Sequence, residues 1–246
     1  MQLQDMLYSQ GFGTRRVCCG LVQQGRVTLG DPPRPVGDPT EDVDPEGLVF
    51  HVQGERWVYQ AHAYLMLHKP TGHECSQKPG AWPSIYTLLP SPLRSRPSGA
   101  ASGVQAVGRL DQDTTGLLLL SDDGKFIHRL SSPKHHVPKV YEATCKHPVT
   151  PQQVERLLAG VVLDDDPKPV RASACEAVGT HGLRLTLTEG KYHQVKRMVA
   201  AVSNRVEALH RSQVGDLVLP PDLAPGQWRW LSAAEVAGLT AARPKA

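Results

Sequence analysis

No stretch of this 246-residue chain approaches the roughly 20 consecutive apolar residues that a membrane-spanning helix needs. Nor does a basic segment followed by an apolar core and a cleavage site open it. Together these absences predict a cytoplasmic protein. Cysteine is scarce and scattered: Cys18, Cys19, Cys75, Cys145 and Cys175 make an odd number with no C-x-x-C pair, which excludes a disulfide framework or a zinc site and leaves reduced thiols that pack. Histidine is more frequent, with eleven residues, but none has the H-E-x-x-H spacing that puts two ligands on one helical face. The adjacent His135 and His136 would point to opposite faces of a strand, so no metal is expected. The apolar content of 40% is ordinary for a globular chain of this length, which suffices for one large domain and a small one.

Charge is divided unevenly. Residues 1–60 carry five Lys/Arg (Arg15, Arg16, Arg26, Arg34 and Arg56) against eight Asp/Glu, a charge of −3, which leaves +6 for residues 61–246. A basic body of that kind suits a polyanionic partner such as RNA.

The most informative segment is Gly108-Arg109-Leu110-Asp111-Gln112-Asp113-Thr114-Thr115-Gly116, followed at once by Leu117-Leu118-Leu119-Leu120. A carboxylate between glycines and backed by an apolar strand marks a loop that carries chemistry, because buried strands hold such loops in place. The alternative is that Asp111 and Asp113 only form Asx turns, bonding the backbone two residues on.

Periodicity and breakers predict helices over 2–10 and 14–24, parted by Gly11-Phe12-Gly13, then strands over 25–29 and 47–52. A domain boundary is expected near residues 54–62, giving domains 1–58 and 62–246. Beyond it, strands are expected at 64–67, 104–107, 116–121, 139–145, 170–178, 183–188 and 206–210. Helices are expected from Asp122 to Leu130, at 151–159 with Pro151 in the first turn, at 192–202 and at 233–239. Many strands with few helices predict an α+β fold with a central, mostly antiparallel sheet and flanking helices. In the 192–202 helix, Val195, Met198, Val199 and Val202 fall at core-facing spacing, with His193, Lys196 and Arg197 on another face. Residues 91–103, rich in Ser, Pro and Gly, are expected to form a mobile insertion whose two arginines could order on RNA.

The Gly108–Leu120 segment is similar to the catalytic motif of the pseudouridine synthases that modify ribosomal RNA. Leu67-His68-Lys69-Pro70-Thr71-Gly72 and Glu189-Gly190-Lys191-Tyr192-His193-Gln194-Val195-Lys196-Arg197-Met198 resemble the other signature segments of the branch acting on small-subunit (16S) rRNA. The resemblance covers most of residues 63–240. Residues 1–58, helix, helix, strand and strand with Thr14-Arg15-Arg16 opening the second helix, resemble the small RNA-binding module named after ribosomal protein S4, although the acidic run from Asp38 to Glu46 would repel phosphate.

The resemblance implies isomerisation of uridine to pseudouridine: the bond from ribose to N1 breaks, the base turns, and it rejoins through C5. Such chemistry needs a nucleophile and an acid–base group but no redox cofactor and no metal. It assigns Asp111 as nucleophile, Tyr141 as the ring stacked on the target base, and Lys196 as the cation paired with Asp111, with Arg197 as the alternative partner. Arg109, Lys69, Arg197, Gln194, His193, Arg15, Arg16 and Arg26 are the expected RNA contacts. The expected partner is 16S rRNA, free or within an assembling small subunit, and the protein is expected to be a monomer without a cofactor. Three other readings compete: a 23S rRNA pseudouridine synthase of the same superfamily, a magnesium-dependent phosphotransferase using Asp111, Asp113, Asp122 and Asp123 as oxygen ligands, and a non-catalytic RNA-binding ribosome assembly factor.

Overall fold

The computed structural model describes residues 1–98 and 101–241. It divides into two compact units, one of residues 1–63, 89–105 and 121–123 and one of residues 64–88, 106–120 and 124–246. The boundary after Ala63 lies just beyond the expected linker, and the first unit takes in two later segments as well.

In the first unit, the expected helix pair spans Leu3–Ser9 and Arg15–Gln23. Thr14 caps the second by accepting a hydrogen bond from the Val17 backbone N–H at 3.3 Å. Gly11 forces the break between them: its φ is +88°, and a Cβ there would lie 2.0 Å from the Pro92 carbonyl oxygen. A four-stranded sheet follows, in the order Arg34–Pro35, Val27–Leu29, Val49–Val52 and Glu55–Val58. Leu3, Met6, Leu7, Cys18, Val22, Val27 and Phe50 are fully buried between helices and sheet. Each contributes about 1.5–3 kcal/mol by leaving water.

The expectation of a mobile insertion at 91–103 is overturned. Ser91–Ser95 is a short helix with Leu93 buried, and Pro97–Ser98 pairs with Ala101–Ser102. Gly99 and Ala100 lie outside the described residues. Arg96, one of the two arginines offered to RNA, is instead buried: its Nε donates to Asp122 at 2.5 Å, Nη1 to Gln10 Oε1 at 3.0 Å and Nη2 to the Gln60 carbonyl at 2.7 Å. A buried guanidinium satisfied by a carboxylate and two further acceptors holds its segment in place, because removing any partner strands a charge.

The second unit is built on a sheet whose strands run in the order Ala174–Val178, Gly182–Leu187, Lys139–Cys145, Val206–Val214, Thr115–Ser121, Tyr64–Lys69 and Trp228–Trp230. Lys139–Cys145 is antiparallel to both neighbours, while Thr115–Ser121 is parallel to Val206–Val214. The result is the α+β class expected. The helices Gly124–Ser131 and Ala233–Thr240 bring Phe126, Leu130 and Leu239 against Met66, Leu117, Leu119 and Val214. Gly116 opposite Arg211 has φ +107°, and a Cβ there would stand 2.3 Å from the Arg211 carbonyl oxygen, so only glycine lets these two strands meet where the Asp111 loop ends.

Candidate active site

Asp111 sits in a tight turn, its carbonyl accepting from the Thr114 N–H at 3.1 Å. Three anchors fix that turn. Gly72 N–H donates to the Gln112 carbonyl at 2.8 Å, and Leu110 N–H reaches the Cys75 sulfur at 3.5 Å. The third is Lys69, whose fully buried ammonium donates to the carbonyls of Pro70, Gln112 and Thr114 at 3.0, 3.1 and 2.9 Å. Burial pushes this lysine below its ordinary range. The expectation that Lys69 contacts RNA is not met: its ammonium is fully buried and ties the Asp111 loop to the strand before it. Lys69→Met is therefore expected to leave two or three carbonyls unpaired, at about 1–3 kcal/mol each. Thermal melting should show the lower stability, and turnover should fall about tenfold or more with substrate affinity little changed, because the loop loses its geometry and not its contact surface.

Asp111 and Asp113 do not spend their side chains on an Asx turn. Lys196 Nζ lies 3.1 Å from Asp111 Oδ2 and donates to Asp113 at 2.7 and 2.9 Å. Burial alone would raise the Asp113 carboxyl, but the bonds from Lys196 outweigh it and hold Asp113 below the usual carboxylate range. Lys196 feels the same balance from the other side: burial pulls the ammonium down, and the bonds to Asp113 and Asp111 together lift it above the ordinary lysine range. The cation is thus kept charged at any physiological pH.

The helix that supplies Lys196 runs Gln194–Ala201, shorter than expected at both ends. Val195, Met198, Val199 and Val202 are all buried, as their spacing predicts. His193 precedes the helix in a left-handed conformation, φ +47°, which turns its Nε2 to 3.3 Å from Asp111 Oδ1. Its ring stacks on Tyr192 at 3.8 Å, and Tyr192 is 75% exposed.

Two residues expected on the RNA are otherwise engaged. Gln194 is buried and bonds Glu189 and the Lys191 N–H at 2.8 Å each, so it shapes the approach to the helix and is not an RNA contact. Arg197 is not the partner of Asp111: it pairs with Asp165 and donates to the Tyr192 carbonyl at 3.2 Å. Arg109 is exposed on the wall of the site. In the first unit, Arg16 and Arg26 are exposed, while Arg15 pairs with Asp5 at 2.6 Å and lies over the Tyr8 ring.

These elements enclose a cleft of about 690 Å³ lined by Asp111, Tyr141, His193, Lys196, Lys139 and Arg211 among others. Tyr141 projects from the Lys139–Cys145 strand and is 9% exposed. Sequence reading missed Asp113, Tyr192, Lys139 and Arg211; a Lys two residues before the tyrosine on a strand was the one signal that could have placed Lys139 in the cleft. Three of the four candidate acidic ligands of the phosphotransferase reading have a cationic partner, Lys196 for Asp111 and Asp113 and Arg96 for Asp122.

The α+β fold thus presents, in one cleft, an aspartate loop gripped by a lysine beside a buried tyrosine. The family model described as RNA pseudouridylate synthase matches residues 63–201. Similar proteins include the ribosomal small subunit pseudouridine synthase A of Pasteurella multocida, 43% identical over 76% of this chain and 78% of that protein. The synthase of the same name in Salmonella typhimurium is 41% identical over 96% and 98%. A solved pseudouridylate synthase superposes with a TM-score of 0.67 at 32% identity, covering 98% of this chain and all of that one. The chain belongs to the RNA pseudouridylate synthase family and is an isomerase.

Proposed function

We propose that this enzyme isomerises a uridine of small-subunit rRNA to pseudouridine, with Asp111 as the nucleophile. The observation that carries this reading is the direction of the Asp111 carboxylate: it points into the cleft at Lys196, 3.1 Å away, and not back at its own turn. Lys196 on one oxygen and His193 on the other hold the carboxylate facing the cleft, where it can attack. Tyr141, buried at the base of the cleft, offers a face for an extruded uracil, and its hydroxyl is placed to assist removal of the C5 proton. At the rim, exposed Tyr192 stacked on His193 provides a platform for a neighbouring base, and exposed Arg109 a cation for phosphate.

Small-subunit rRNA as the substrate is drawn from the named relatives in Pasteurella multocida and Salmonella typhimurium. The first unit is assigned, in this reading, to RNA through Arg16 and Arg26, with Arg15 held against Asp5 and Tyr8. No helix among the described residues is long and apolar enough to cross a membrane. The enzyme is taken to act as a cytoplasmic monomer on free 16S rRNA or on an assembling small subunit. Pseudouridine mapping of rRNA from cells with and without this protein tests the substrate: one small-subunit position should revert to uridine when it is absent. A change confined to large-subunit rRNA, or none, would move the enzyme to another RNA.

A further inference from the structure

Two further cations, Lys139 and Arg211, lie in the same cleft. Lys139 and Tyr141 sit two residues apart on one strand, Arg211 is the cross-strand partner of Tyr141 just past a bulge in the neighbouring pairing, and all three line the cleft. Arg211 is 3% exposed and its Nε donates to the Leu117 carbonyl at 2.8 Å; Lys139 Nζ donates to the Val137 carbonyl at 3.1 Å. Among the described residues neither forms an ion pair with a carboxylate, and the charged group bearing on Lys139 is Arg211 itself. Two cations held close together under a protein surface without a counter-charge repel each other and pay for lost hydration. An anion arriving with the substrate removes that cost.

Depth decides which anion. The exposed side chains Arg109 and Tyr192 mark the rim, where an RNA backbone passes, whereas Arg211 and Tyr141 are buried on the floor, where an extruded base ends. In the isomerisation proposed above, Asp111 bonds to C1′ as the C1′–N1 bond breaks with its electron pair left on the base, giving a uracil anion whose charge is shared among N1, O2 and O4. After the ring turns, C5 gives an electron pair to C1′ and the bond to Asp111 breaks with its pair returned to the carboxylate; C5 then loses its proton and N1 gains one, so atoms and electrons balance without a co-reactant. We infer that Lys139 and Arg211 form the anion site that holds the detached uracil through its carbonyl oxygens while it turns. Fixed donors aimed at charge that develops during reaction favour the intermediate over the bound substrate. The inference rests on the isomerase reading of the cleft.

Equilibrium binding of 5-nitrouracil, an anion at neutral pH, against neutral uracil tests it on the whole protein without RNA. The wild type should prefer the anion by about tenfold or more, Lys139→Met should lose that preference, and Lys139→Arg should keep it. Burial and Arg211 together bring Lys139 down to about 8. The remaining charged and titratable Asp, Glu, Lys, Arg and His side chains of the cleft are Glu74, Arg109, Asp111, Asp113, Glu189, Lys191, His193 and Lys196. The wild-type preference should therefore decline as pH rises through that value, with the bound anion moving the decline upward, and it should persist in Lys139→Arg. In single turnover at saturating enzyme, Lys139→Met should slow pseudouridine formation by about 10²-fold or more while RNA affinity and its salt slope stay unchanged. Arg211→Lys, with folding verified by melting, should weaken the preference in part. Equal binding of the two uracils, or a preference that survives Lys139→Met, would overturn the inference. So would a preference for uridine monophosphate over uridine that vanishes in Lys139→Met, which would assign the pair to phosphate. A wild type inert on every RNA sinks the isomerase reading, while full activity with no preference for the uracil anion sinks the anion site alone.

Discussion

Asp111→Asn is expected to abolish pseudouridine formation, by about 10³-fold or more, while RNA still binds within about twofold of the wild type. The amide keeps the shape of the carboxylate and the hydrogen-bond reach to Lys196 and His193, which lie 3.1 and 3.3 Å from Asp111. It removes only the nucleophilic charge, so the whole loss should fall on kcat. Single-turnover rates and a binding titration on the same RNA separate the two quantities. A variant that turned over at near the normal rate would take the role away from Asp111. The neighbouring Asp113→Asn should be mild, within about threefold in rate, because Lys196 keeps its contact with Asp111.

The second large effect is expected at Lys196. One ammonium serves two carboxylates here, and Asp113 is held below the usual carboxylate range only because the bonds from Lys196 outweigh burial. Lys196→Met leaves two like charges facing each other without a cation, and such a pair takes up a proton at a higher pH than either member would beside an ammonium. The rate should fall by about 10²-fold at neutral pH, and the acid limb of the pH–rate profile should move upward. Lys196→Arg restores a positive charge but not the compact ammonium that bridges both carboxylates, so it should recover part of the rate. An acid limb unchanged in the methionine variant would mean that Lys196 does not govern the ionisation of the pair. Arg197 could not then substitute, since it is committed to Asp165 and the Tyr192 carbonyl.

Local patterns carried much of this site in the sequence. The glycine-flanked Asp111 loop with its four leucines, and the spacing that buries Val195, Met198, Val199 and Val202 and turns Lys196 aside, depend on neighbours a few residues away. What was not legible depends on partners brought from afar. Lys69 looks like any basic residue ending a strand until the carbonyls of Gln112 and Thr114, more than forty positions on, are folded around it. Arg96 sits in a segment whose composition argues for disorder, and its order comes from Asp122 and Gln10, 26 and 86 positions away. The resemblance of its segment puts Gln194 on RNA, yet its side chain turns back to Glu189. Asp113 has only the readings of an Asx-turn residue or a magnesium ligand in the sequence, because nothing in the chain order announces that one lysine, 83 residues later, spans both carboxylates. Arg211 enters the cleft only through its register opposite Tyr141, which a single sequence does not reveal.

The most direct measurement is release of tritium from small-subunit rRNA labelled at C5 of uridine, since joining C1′ to C5 must expel that hydrogen. Wild-type enzyme should release about one tritium per RNA molecule at a single mapped position, and Asp111→Asn should release none on the same timescale. Release undiminished in Asp111→Asn, or no release by the wild type, would contradict Asp111-dependent isomerisation of that RNA.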